Sequence, residues 1–521
     1  MPERVAKHWN VSSPVNALFV AFLVFLCGSA IFISLIDLFG LPMVIGGSDA
    51  QDIPALPATA GFSARLAAAG AAVPPDSPFE TDVGIRMPPL SAESSLQAVA
   101  IARGNVIART DCLDELPEGA DGEPIPAAGL TNLTCPLAIP YEYLPAEQVA
   151  VYAVLEEDGN EYGAPAGTLA IDWSAYEPSF WGSAAVITVV AALGALACGA
   201  IALAMLFFTR RASHDVEYAG EYGGWNMLAP LAKAHGISQL LQAYIASPLF
   251  WALESFGILV MLGYLALASE PWQSASALYA FGLSGVLSFI TPFLWVAVVW
   301  FAEYKEREPL RVIVSLFLWG GFACLMAIGL NSLGSDFLGI LGLGFLASSV
   351  TAPIFEELFK GTGLAIFSLH HEFDGMVDGI VYGFVIGMGF SFVEDWLYLL
   401  QNPMGADVGG WLVVFILRSL FFSANHGVFT AFAGGTIGFL KERGFPYASL
   451  GIIVGILPGI ILHAVHNSAE IWTALFGGPG ICLYLCILPL FDYGGLLLLA
   501  VLMVAGVAFM HGRERRQDTK A

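Results

Sequence analysis

Apolar stretches of twenty or more residues recur along this 521-residue chain, and no other feature constrains its fold as much. A helix needs about 20 apolar residues to cross a hydrocarbon core of about 30 Å. Lipid offers the backbone no hydrogen-bond partners, so repeated runs of that length dictate a helical bundle. Runs near 14–40, 181–208, 247–268, 277–302, 312–332, 337–369, 379–400, 411–440, 450–475 and 484–510 predict about ten transmembrane helices. Only 12% of residues are charged, against about a quarter in soluble domains, which excludes a water-soluble protein. The 20 basic and 44 acidic residues leave a net charge of −24. Nucleic acid is thereby excluded as a partner, because phosphate contacts need a basic face.

The charges also orient the spans. Arg4 and Lys7 precede span one, and Arg210, Arg211 and Lys233 follow span two. Lys305, Arg307 and Arg311 separate spans four and five, Lys441 and Arg443 separate spans eight and nine, and Arg513, Arg515, Arg516 and Lys520 form the tail. With ten spans all of these fall on one side, which the positive-inside rule makes cytoplasmic. Both termini are then expected in the cytoplasm. The first run is longer than a signal-peptide core and lacks a small-x-small cleavage site, so it reads as a retained anchor.

Between Asp49 and Glu177 stand twenty acidic and four basic residues, so sixteen of the 24 surplus negative charges are local to this segment. It lacks long apolar runs. The expected organisation is therefore an anchor helix (1–47), an acidic extracytoplasmic domain (48–178), a second transmembrane helix with a cytoplasmic loop (179–246), a transmembrane bundle (247–510) and a basic cytoplasmic tail (511–521). The extracytoplasmic domain opens on an Ala/Pro-rich stretch, Ala55 to Pro75, that reads as a linker. Val99–Val106 and Val149–Leu155, the latter followed by Asp158-Gly159, read as strands. The fold class is thus an all-α polytopic membrane bundle with a small β-rich domain inserted between helices 1 and 2. Cys112 and Cys135 lie in that domain, where an oxidising compartment would allow a disulfide.

Ionisable residues inside a bilayer are costly and usually functional. Glu254 and Asp492 are isolated and read as structural. Between 337 and 475 such groups concentrate. Span six carries Glu356, Glu357 and Lys360. Glu356 and Lys360 are four apart on one helix face, so an ion pair between them is expected. Glu357 points about 100° away from Glu356. Asp374 and Asp378 announce span seven, where helix capping is an equal reading, and Glu394 lies within it. Span eight carries Arg418 and His426, and span nine carries His463 and Asn467. Counted from the assigned cytoplasmic ends, Glu356, Glu394, His426 and His463 lie 13 to 15 residues deep. At about 1.5 Å per residue they share one layer in the outer half of the core.

That layer permits hydrolysis. Glu356 or Glu357 is a candidate general base for a trapped water, with His426, His463 and Asn467 as donors to the resulting oxyanion. Alternatively, Glu394, His426 and His463 form a His₂Glu set, the ligand type of hydrolytic zinc sites. The residues alone do not choose between these routes. No Gly-x-Ser-x-Gly elbow is present, which disfavours a covalent route.

In order, Glu356-Glu357-x-x-Lys360, Glu372-Phe-Asp374-x-x-x-Asp378-Gly379, Gly389-Phe390-x-x-x-Glu394, Arg418 with His426, and Leu462-His463-x-x-x-Asn467-Ser468 resemble the motif series of PrsW-type intramembrane proteases. That family is related to the CAAX-prenyl protease and bacteriocin-processing superfamily. The resemblance covers about 337–475. It implies a membrane-embedded peptidase of the bacterial cytoplasmic membrane, with Glu356, Glu357, Glu394, His426 and His463 as site residues and Lys360, Asp374, Asp378, Arg418 and Asn467 in support. It also implies a divalent metal such as zinc, and a membrane-bound substrate of the anti-sigma-factor kind cut near its extracytoplasmic face. Asp395 departs from the family's usual Asn, and the acidic domain and first two spans look like additions. Two other readings of the same residues are an ion-coupled transporter, since buried carboxylates also relay protons, and a catalytically silent membrane scaffold.

Overall fold

The computed structural model describes residues 53–73, 79–88, 94–102, 105–113, 132–139, 148–157, 159–172, 176–212, 255–258, 275–302, 308–368, 372–401, 408–445 and 448–518. The first part is a β domain. A three-stranded sheet has the order β1 (Ser63–Leu66), β3 (Phe79–Arg86), β6 (Asn132–Ile139). A five-stranded sheet has the order β2 (Ala72–Val73), β8 (Asn160–Ile171), β7 (Gln148–Glu157), β4 (Ser95–Ala102), β5 (Asn105–Asp111). Strict burial alternation along β6 and β7 gives each sheet one apolar face, as expected where one face is buried and the other is wet. Val83, Ile85, Leu133 and Leu137 of the first sheet share a core with Leu96, Val149 and Val151 of the second. A Cys112–Cys135 disulfide ties the end of β5 to β6, across the two sheets.

The Ala/Pro-rich stretch is not a linker. Gly61 and Gly70, with φ of +85° and +76°, let the chain turn where other side chains would be strained. Leu66 and Val73 are thereby delivered to the core. Val99–Val106 likewise spans the end of β4 and the start of β5 rather than one strand.

The remainder is helical: α1 (Tyr176–Ala212), α2 (Ala275–Ala302), α3 (Leu310–Ile340), α4 (Ala352–Phe367), α5 (Met376–Gln401), α6 (Val408–Val414), α7 (Ala424–Glu442), α8 (Ile452–His466), α9 (Ala469–Phe476) and α10 (Gly478–Asp518). Seven spans among the described residues are long and apolar enough to cross a membrane. The runs expected near 14–40 and 247–268 lie outside the described residues, apart from 255–258. The expected span 337–369 is divided: α3 continues to Ile340, short turns cover Gly344–Thr351, and α4 has only 16 residues. The expected span 450–475 breaks at Asn467 and Ser468, between α8 and α9. α10 continues through the basic segment after 511 as far as Asp518.

α5 is the axis of the bundle. Its glycines bring backbones into contact on two sides. A Cβ at Gly379 or Gly387 would meet the carbonyl oxygen of Gly434 or His426 on α7 at 2.0 Å. One at Gly389 would meet the Phe317 carbonyl of α3 at 1.8 Å. Small residues permit such approach between membrane helices, where packing and not hydrophobicity drives association.

Contacts between rings give the direction of the chain. Trp181 meets Tyr279 at 5.2 Å and Phe208 meets Phe301 at 5.9 Å, so α1 and α2 run parallel. Trp396, near the end of α5, donates to the Phe281 carbonyl at 3.0 Å. The C-terminal end of α5 therefore lies at the end of the bundle where the chain leaves the β domain.

Candidate active site

Glu356, Glu357 and Lys360 sit on the first half of α4, which starts with Pro353 in its first turn. Proline suits that position because its missing N–H would be unpaired there anyway. A π turn, Ala347–Thr351, feeds α4, and a second, Phe415–Phe422, joins α6 to α7 and carries Arg418. Such turns recur at functional sites because they re-aim side chains. Glu394 lies on the last two turns of α5, His426 on the first turn of α7 and His463 on the last turn of α8. Seven residues separate Glu394 from the end of α5, or about 10 Å along the axis. The site thus belongs to the β-domain end.

The side chains converge. Glu357 Oε1 lies 2.5 Å from Lys360 Nζ and 3.1 Å from His463 Nδ1, and its Oε2 accepts from Thr430 Oγ1 at 3.0 Å. Lys360, fully buried, also reaches His426 Nδ1 at 3.2 Å and lies 4.0 Å over the Phe390 ring. Glu394 Oε2 is 2.8 Å from both Arg418 Nη2 and His426 Nε2. The His426 and His463 rings stand perpendicular with centroids 4.9 Å apart. Glu356 Oε1 accepts from Asn331 Nδ2 at 3.0 Å, while its Oε2 is buried without a hydrogen bond, 3.6 Å from His463 Nε2.

The expected Glu356–Lys360 pair does not form. Lys360 turns to Glu357, three residues away, because His426 and Phe390 lie on that side of α4. Asp378 is not in the cluster. It caps the start of α5, its Oδ2 accepting the backbone N–H groups of Asp374 and Gly375 at 2.8 and 2.7 Å. Sixteen residues of α5 hold it about 24 Å from Glu394, and Asp374 is exposed beside it. Asn467 acts as a brace. Its Nδ2 donates to the Ser348 carbonyl at 3.2 Å and its backbone carbonyl accepts from Ser349 Oγ at 2.7 Å, tying the end of α8 to the π turn before α4. Asn331, Thr430 and Tyr398, whose ring lies 3.6 Å under the Arg418 guanidinium, are contacts that sequence reading missed. Thr430, one turn after His426, carried the only periodic signal.

Hydrogen-bond roles follow from what each group can do. A carboxylate only accepts, so His463 Nδ1 donates to Glu357 and its Nε2 is left as an acceptor. An ammonium only donates, so His426 Nδ1 accepts from Lys360 and its Nε2–H donates to Glu394. With a neutral imidazole and an ionised Glu356, His463 Nε2 and Glu356 Oε2 face one another as two acceptors. The formal charges point the same way. Glu356, Glu357, Glu394 and Asp395, whose Oδ1 is 3.6 Å from Arg418 Nε, outnumber Lys360 and Arg418 by two.

A divalent cation fits this deficit. The donors of Glu356, His426 and His463 all lie within 4.8 Å of one another, and all three residues are buried. Glu356 here takes the place that sequence reading gave to Glu394, whose Oε2 is held by Arg418 and His426. His426 joins such a set only by releasing Lys360 or Glu394 from one ring nitrogen.

The chain is similar to known proteins over the same region. Residues 308–493 match the PrsW family of intramembrane metalloproteases. The chain is 26% identical over 186 residues to Protease PrsW of Oceanobacillus iheyensis, covering 36% of this chain and 82% of that protein. It is 25% identical over 178 residues to Protease PrsW of Halalkalibacterium halodurans, covering 33% and 77%. It is 30% identical over 172 residues to Protease PrsW of Geobacillus kaustophilus, covering 32% and 69%. No solved structure matches. Motifs, buried cluster and relatives coincide on one stretch of helices, and the chain belongs to the PrsW family of intramembrane proteases.

Proposed function

We propose that this chain is an endopeptidase that hydrolyses a peptide bond of a membrane-associated protein, at the end of the bundle joined to the β domain. The observation that carries this reading is the facing pair of acceptors, Glu356 Oε2 and His463 Nε2, within a buried cluster that holds more carboxylates than cations. In a metal-free site a water there finds a carboxylate oxygen free to take its proton. Glu357 fixes the His463 ring through Nδ1, and Lys360 and Thr430 hold Glu357 in turn. Arg418 is 28% exposed at its side chain, and its guanidinium suits an anion developing on the scissile carbonyl. The proton taken from water then passes to the leaving amine.

Glu356, His426 and His463 are the residues that would hold a zinc ion. When bound, such an ion supplies Lewis-acid polarisation and an easily ionised water. The basic segments between spans support a cytoplasmic placement of both termini in a bacterial cytoplasmic membrane, with the β domain and the cut outside. A membrane-bound anti-sigma factor is the substrate class we favour.

The test is cleavage of a single-span reporter protein reconstituted with the enzyme in liposomes. Glu356→Gln and His426→Ala are expected to abolish cleavage while still accumulating in the membrane. Normal cleavage by either variant overturns the reading.

A further inference from the structure

A second imidazole–carboxylate pair lies beside the site and is used by nothing described so far. Asp492, within the apolar run of α10, is buried, and its Oδ2 is 3.0 Å from His466 Nδ1. His466 stands one turn beyond His463 on α8, and α10 also reaches it through Tyr484, whose hydroxyl donates to the His466 carbonyl. Asn425 Nδ2 is 3.3 Å from the same Nδ1, and Asn425 is the chain neighbour of His426. The Phe429 ring stacks on His463 at 4.9 Å and touches His466 at 6.0 Å. Phe429 and the Asn425–His426 chain link connect this pair to the two site histidines, and Phe422 of the second π turn also packs on His466 at 5.4 Å.

A buried ion pair is weak evidence of a contribution to fold stability. Replacing a buried ion pair by apolar residues of similar volume is often neutral or stabilising, whereas removing one partner is costly. A polar pair kept inside an apolar helix is better explained by the arrangement it specifies. We infer that Asp492 and His466 form a positioning dyad, through which α10 sets the spacing of His426 and His463. The inference rests on the hydrolytic reading above. Neither residue touches the reacting atoms, so both are positioning residues.

The test compares the wild type, the double variant His466→Phe/Asp492→Leu and the single variant Asp492→Asn, all full-length in the liposome assay. Zinc content of the same preparations is the second readout. The double variant replaces the pair by apolar groups and is expected to accumulate normally. Its kcat is expected to fall about tenfold to a hundredfold, the range seen when an orienting partner is lost, with KM within about twofold and zinc reduced. Asp492→Asn keeps an acceptor for Nδ1 and is expected to recover most of that rate. An active wild type with an equally active double variant overturns the dyad alone. Failure of the double variant to accumulate assigns the pair to the fold and also overturns it. A wild type that neither cleaves the reporter nor holds zinc removes the hydrolytic reading, and the dyad falls with it.

Discussion

Gly387 gives the sharpest test of how the bundle builds its site. A methyl group added there would lie 2.0 Å from the His426 carbonyl oxygen, 2.3 Å from its carbon and 2.5 Å from the Gly427 nitrogen. Carbon contacts settle at about 3.5 Å, so α5 and α7 must part by roughly 1.5 Å in Gly387→Ala. Overpacking of this kind costs about 1–3 kcal/mol of stability. The position of the clash adds a second effect, because the displaced atoms belong to His426 itself. A misplacement of about 1 Å can lower catalysis about a hundredfold. Gly379→Ala provides the comparison. Its methyl would meet the Gly434 carbonyl at the same 2.0 Å, but eight residues earlier on α5, or about 12 Å away. The two variants should lose similar thermal stability in detergent, while cleavage of the liposome reporter falls far more in Gly387→Ala. Gly282→Ala on α2, where a methyl meets nothing within 4 Å, should match the wild type in both assays. Equal activity losses in the Gly379 and Gly387 variants would refute the claim that helix approach positions His426.

Two further outcomes follow from the charge arrangement. Lys360→Met leaves Glu357 without its buried cation, which should destabilise the protein by about 3–5 kcal/mol, read as a lowered melting temperature and lost reporter cleavage; Lys360→Met/Glu357→Gln should recover much of the stability but not the activity. Purified wild-type protein should carry zinc near one equivalent by metal analysis, removable by a chelator and absent from His463→Ala, because that variant loses a ring set between both glutamates.

Much of this arrangement was legible in the sequence, for definite reasons. Carboxylates and imidazoles stand out against apolar runs because lipid offers them no solvent, and helical rise places them in depth. Periodicity could not supply the choice among near neighbours. Whether Lys360 turns to Glu356 or to Glu357 depends on where His426 and Phe390 lie, on helices 30 to 66 residues away. Asn331 was hidden, and Asp492 was legible only as a structural residue, for a related reason. The meaning of each comes only from the carboxylate or imidazole packed opposite. The turns at Gly344–Thr351 eluded the reading because their residues are as apolar as a helix. The break inside 450–475, at Asn467 and Ser468, also escaped, whereas the turn at Gly477, with φ of +63°, falls in the gap expected between 475 and 484.

The place of the cluster along the bundle bears on how a substrate could reach it. Glu356 and His426 lie near the start of their helices, and Glu394 and His463 near the end of theirs. Alternate helices run in opposite directions, so all four gather at one end, about 10 Å below the end of α5. Both π turns are at that end, each just ahead of a site residue. A peptide bond inside a helix is shielded by its own hydrogen bonds, so hydrolysis needs an extended strand of substrate. Near the end of a span a helix frays and its last carbonyls are already unpaired. A site at this shallow depth can therefore meet an unwound segment without unfolding a whole transmembrane helix. The same end is where the chain leaves the β domain, so a protein gathered there would present its juxtamembrane segment, not the middle of its span, to Glu356.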